Sequence, residues 1–87
     1  MEIIYSEEAK EDLEYWNKYG SESEKNKIKT LLQSISISPF NGIGKPELLK
    51  YDLTGKWSRR INRKDRIVYR VTNFIEILSF RGHYDNN

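Results

Sequence analysis

The 87 residues contain no cysteine, which excludes a disulfide framework and any thiolate metal site. A single histidine, His83, also excludes a zinc site built on shared imidazoles, so no metal or other cofactor is expected. No apolar run approaches the roughly 20 residues that a membrane helix requires. Met1-Glu2-Ile3 does not open a basic-then-apolar export leader, so a cytoplasmic protein that does not engage membranes is the expectation. There are only two prolines and five glycines, no repeats and no linker-like stretch, which leaves one domain over residues 1–87. A chain this short buries only about 60–65% of its unfolded surface, so large pockets are not expected. An active site here would be shallow, and its substrate large or held by something else.

What the sequence does have is charge, unevenly placed. The net +2 comprises 15 Lys and Arg against 13 Asp and Glu. Residues 1–24 hold eight of the acids and two of the bases, a net of −6, and the remaining residues carry +8. Within 45–70, nine bases (Lys45, Lys50, Lys56, Arg59, Arg60, Arg63, Lys64, Arg66 and Arg70) face three acids, with Tyr51, Trp57 and Tyr69 interleaved. A solvated face has this composition too. Its clustering on predicted strands, opposite an acidic segment, points instead to single-stranded RNA, whose phosphates meet cations and whose splayed bases stack on rings.

Residues 1–5 read as a short strand. Ser6 then caps a helix with Glu7 and Glu8 at its positive end and Ala9, Leu13 and Trp16 as its apolar stripe. Gly20 ends that helix, and Ser21 with Glu24 forms a capping box opening a second, with Ile28, Leu31, Leu32 and Ile35 inward until Pro39 stops it. Residues 39–46, with both prolines and two glycines, form an ordered loop. A single helical turn is expected within 48–53. From Trp57 the period becomes two, giving strands over 57–62, 66–72 and 74–84 as an antiparallel meander with a tight turn at Asn73. The order β-α-α-β-β-β predicts a two-layer α+β domain, a helical hairpin packed on one face of a mainly antiparallel sheet. Ile67, Tyr69 and Val71 suit the core, and an open opposite face carries Arg66, Val68 and Arg70.

Residue types able to do chemistry are also present. His83 titrates near neutrality unaided, Arg81 lies two residues back on the same predicted strand face, Tyr84 is beside it, and Arg66 is potentially one strand away. Glu47, between Pro46 and Leu48 in a basic loop, suits a carboxylate that stays ionised and accepts a proton. Glu47, Arg66, Arg81, His83 and Tyr84 together supply what RNA self-cleavage needs: a base for the 2′-hydroxyl, cations for the phosphorane charge and an acid for the leaving 5′-oxygen. Lys45, Lys50, Trp57, Arg59, Arg60 and Arg81 are the candidate RNA contacts.

Ile4-Tyr5-Ser6-Glu7-Glu8-Ala9, the Gly44-Lys45-Pro46-Glu47 segment, Trp57-Ser58-Arg59-Arg60-Ile61, Arg66-Ile67-Val68-Tyr69 and Arg81-Gly82-His83-Tyr84 resemble, in that order and spacing, the YoeB (Txe/YoeB) family of toxin–antitoxin toxins in the RelE superfamily. The resemblance implies a RelE-like fold and a ribosome-dependent mRNA endoribonuclease that cuts mRNA in the ribosomal A site. It assigns the general base to Glu47, the general acid to His83 and transition-state stabilisation to Arg66. Lys50, Arg60 and Tyr84 match phosphate- or base-contacting positions. It further implies a YefM-like antitoxin, homodimers among the family's assemblies, and products carrying a 2′,3′-cyclic (or 3′-) phosphate and a 5′-hydroxyl. Two other functions fit a similar fold: a non-enzymatic, ParE-like inhibitor of DNA gyrase, and a plain RNA- or ribosome-binding module.

Overall fold

The hydroxyl of Ser6 begins the helical layer and ties it to the sheet. In an extended conformation, Ser6 accepts the Ala9 N–H at 3.0 Å and donates to the Leu78 carbonyl at 2.9 Å. The computed structural model of the chain describes residues 1–82, so the roles expected of His83 and Tyr84 lie outside the described residues. Helix α1 (Glu7–Tyr19) buries Ala9 and Trp16. It stops where Gly20 donates to the Trp16 carbonyl at 2.8 Å, an approach so close that a Cβ on Gly20 would sit 2.6 Å from that oxygen. The Ser21–Glu24 capping box then opens α2 (Glu22–Ile37), which buries Ile28, Leu31 and Ile35 and ends at Ser38, just before Pro39. No helix among the described residues is long and apolar enough to cross a membrane.

Five strands follow the order β1-β5-β4-β3-β2: β1 (Ile3–Tyr5), β2 (Glu47–Leu48), β3 (Lys56–Arg60), β4 (Arg66–Val71) and β5 (Ile75–Gly82). The sheet is mixed, because β1 runs parallel to β5 while every other pairing is antiparallel. Strand β2 departs from the sequence reading. The helical turn expected within 48–53 is a 3₁₀ turn at Tyr51–Leu53, and Glu47 and Leu48 instead pair with Ser58 and Trp57. Two residues are too few to show a strand period. Strand β3 also ends at Arg60, two residues earlier than expected, because the Asn62 side-chain oxygen accepts the Lys64 and Asp65 N–H groups and closes the hairpin loop.

Ile67, Tyr69, Ile75, Ile77 and Phe80 form the core with the helices. The other face is less open than expected. Ser58, Val68 and Ser79 are buried on it.

Strand β5 slips register twice against β4. Tyr69 pairs with Ile77, Val68 with Ser79 and Arg66 with Gly82. Helix α1 holds these irregular positions. Besides the Ser6–Leu78 bond, Asp12 accepts the Phe80 N–H at 2.9 Å, and the Trp16 indole donates to the Phe80 carbonyl at 2.8 Å.

Glu24 links the capping box to the β3–β4 hairpin by accepting from the Asn62 amide at 2.9 Å. Its carboxyl is held below the ordinary glutamate range, first by the Ser21 backbone N–H and then by Asn62. Because the folded value is the lower one, this stabilisation is present above the ordinary range and is lost as pH falls through the folded value. Glu24→Gln keeps the capping geometry without titrating. The stability gap between wild type and this variant should therefore shrink as pH is lowered in urea titrations, and a gap independent of pH would contradict it.

Candidate functional site: an ion pair on the outer sheet face

Arg59 anchors the loop that leads to the site. It is fully buried, and all five of its N–H donors are used: Nε to the Tyr69 hydroxyl, one terminal nitrogen to Ser34 Oγ and Ile43 O, the other to Ser38 O and Asn41 O, at 2.7–3.1 Å. Tyr69 passes its own proton to the Pro39 carbonyl at 2.6 Å. Burial pushes that phenol above its ordinary value, with Arg59 opposing, so it stays a donor. The loop is wrapped around one guanidinium. Gly44 (φ +82°) passes so close that a Cβ would meet the Leu31 side chain at 2.5 Å, and its carbonyl accepts the Arg60 N–H at 2.7 Å. Lys45 follows with φ +53°, which turns the chain into Pro46 and β2.

That turn delivers Glu47 to Arg66. Glu47 Oε1 lies 3.0 Å from Arg66 Nη1, which also approaches Ser58 Oγ at 3.4 Å. Arg66 is 13% exposed at its side chain and Glu47 43%, so the pair is sheltered on the arginine side and reachable on the carboxylate side. Cross-strand pairing sets the arrangement: Glu47, Ser58, Val68 and Ser79 form one row across four strands, and Arg60, Arg66 and Gly82 the adjacent row. Gly82, the residue before His83, is thus the cross-strand neighbour of Arg66. The carboxylate can accept a proton, and the guanidinium can bind an anionic oxygen beside it.

Lys45, Lys50 and Arg60 are exposed near this pair in sequence, and Lys45 and Arg60 share a shallow basin of about 410 Å³ with Lys27 and Arg63. Three expected RNA contacts lie elsewhere. Arg59 has no free donor. Trp57 pairs with Tyr69 on the helical face and packs against Phe40 at 5.0 Å between ring centroids. Arg81 stands over the Tyr15 ring of α1, 3.6 Å from its centroid, on the helix side of the sheet and away from Glu47 and Arg66. Of the interleaved aromatics, Tyr69 is in the core, while Tyr51 is 80% exposed. Ser58 was missed; only its pairing with Glu47 and Val68 signals it. Among the described residues no group of three or more His, Cys, Asp or Glu side chains is placed to hold a metal ion.

A helical pair on a five-stranded mixed sheet, with a carboxylate–guanidinium pair on the face away from the helices, is an α+β domain of RelE-like fold. The model of the YoeB-like toxin of bacterial type II toxin–antitoxin systems matches residues 5–84. Toxin YoeB of Escherichia coli K12 is 44% identical over 85 residues, covering 97% of this chain and all of that protein. The solved YoeB/ParE toxin from Agrobacterium tumefaciens superposes with a TM-score of 0.89 at 37% identity, covering 97% of this chain and all of that one. The toxin in a heterotetrameric YoeB–YefM complex from Staphylococcus aureus superposes with a TM-score of 0.82 at 44% identity, covering 97% and 98%. The chain belongs to the YoeB family of type II toxin–antitoxin toxins.

Proposed function

We propose that this toxin is a metal-independent endoribonuclease that cuts mRNA presented in the ribosomal A site and so arrests translation. The observation that carries the reading is the 3.0 Å Glu47–Arg66 pair on the outer sheet face. In the proposed reaction Glu47 takes the proton of a 2′-hydroxyl, whose oxygen attacks the adjacent phosphorus. Arg66, aided by Lys50 and Arg60, stabilises the charge on the phosphorane oxygens. His83 donates a proton to the departing 5′-oxygen, with Tyr84 beside it. The bond formed is 2′-O–P and the bond broken is P–O5′, leaving a 2′,3′-cyclic phosphate and a 5′-hydroxyl. A shallow site in a small domain suits a substrate held by another machine, since positioning of the strand supplies much of the acceleration. The +6 balance of residues 45–70 suits RNA, as nine bases against three acids there attract phosphates.

The proposed partners are the ribosome and mRNA in the cytoplasm, and a YefM-like antitoxin of the kind that accompanies the Staphylococcus aureus relative. Primer extension on mRNA in a translating extract tests the activity. Cuts within codons are expected when the chain and ribosomes are both present, and none when ribosomes are removed. Growth arrest with intact mRNA and damaged DNA would instead favour gyrase poisoning and overturn the proposal.

A further inference from the structure

A second recess lies on the same sheet face as the ion pair. It encloses about 280 Å³ where Lys56 of β3, Val68 of β4 and Leu78 and Ser79 of β5 meet Ser6 and Glu8 at the start of α1. Ser79 is only 2% exposed, and its Oγ is the one buried side-chain polar atom among the described residues without a hydrogen-bond partner. A buried hydroxyl that no protein group pairs is costly, so this one has a hydrogen bond to offer to whatever enters the recess. The β5 register shift that brings Ser79 opposite Val68 is held by α1, so the hydroxyl is fixed where it is.

Ser79 also belongs to the row Glu47, Ser58, Val68, Ser79. Three strand-to-strand steps of about 4.8 Å put it roughly 14 Å from Glu47. That separation suits a neighbour of the scissile nucleotide, not the scissile nucleotide itself.

Resting on the endoribonuclease reading above, we infer that this recess is a nucleobase subsite for mRNA flanking the cut, and that guanine fits it best. Its lining is unlike a phosphate site, because the Glu8 carboxylate opposes an anion while Val68 and Leu78 supply apolar walls for a flat ring. Guanine offers O6 and N7 as acceptors for the Lys56 ammonium, and N1–H and N2–H₂ as donors for Glu8, while Ser79 Oγ can serve either edge.

The test is a ¹⁵N-resolved NMR titration of the full chain with guanosine, cytidine and inorganic phosphate, paired with sequencing of the RNA ends made in a translating extract. Guanosine should shift the amides of Val68, Leu78 and Ser79 more than cytidine does. Ser79→Ala should weaken guanosine binding by about tenfold, without lowering Tm, because it removes an unpaired hydroxyl. The same substitution should flatten the base profile at one position beside the cut, and Lys56→Gln should do likewise from the recess rim. Equal shifts with phosphate alone would overturn the base assignment. Cleavage by Ser79→Ala with an unchanged base profile would overturn the subsite and leave the endoribonuclease standing. Failure of the unaltered chain to cleave would overturn both.

Discussion

Replacing Arg59 with leucine is expected to lower Tm by about 15–30 °C, a far larger effect than replacing any other base in the 45–70 segment. The guanidinium donates to two hydroxyls and three carbonyls, all uncharged, and the substitution removes that donor from every one of them. A buried neutral polar group left without its partner costs about 1–3 kcal/mol, so losing five charge-assisted bonds at once, after relaxation, comes to about 3–5 kcal/mol. That is a large part of the roughly 5–15 kcal/mol that holds a domain together. At about 4–8 °C per kcal/mol for a domain of this size, the shift in Tm follows. Arg59→Lys should recover less than half of it, because a single ammonium cannot reach five acceptors laid out for a planar fork. Thermal denaturation followed by circular dichroism reads both variants. A loss below about 5 °C for leucine would show that the loop does not depend on the clamp.

Glu47→Gln is the counterpart, a change expected to spare the fold and remove the proposed chemistry. The amide oxygen can still accept from Arg66, so Tm should move by no more than a few degrees. The basic carboxylate is gone, however, and general-base catalysis contributes about 10²–10⁴-fold. Cleavage in a translating extract should fall by that factor, and His83→Ala should fall comparably at the proton-donating end. Binding of a YefM-like antitoxin should survive both. Cleavage by Glu47→Gln within about tenfold of the unaltered chain would remove Glu47 from the base role.

The helices were legible because their ends are written in local chemistry: Ser6, the Ser21–Glu24 box and Pro39 each act within a few residues of themselves. The sheet was legible where alternation is strict, as at Ile67 and Tyr69. Strand β2 was not, since its two residues owe their conformation to Ser58 and Trp57 across the ladder. Arg59 was misread through composition, because counting bases treats each as exposed. Its alternation with Trp57 and Ile61 was the better signal and places it inward with them. Arg81 was misread in the same way: alternation from Ile75 and Ile77, both buried in the core, already carries residue 81 toward the helices. Glu47 and Arg66 were identifiable by residue type, but the contact between them required β2, β3 and β4 to be assembled.

The place of β5 in the sheet has a consequence for biosynthesis. The last strand of the described chain inserts between the first strand and β4, pairing residue 3 with residue 75. A nascent chain therefore cannot complete its sheet until residues 75–82 have emerged, and such long-range parallel pairing is slow to form. Until β5 takes its place, β1 has no partner strand and Arg66 has no neighbour on that side of β4.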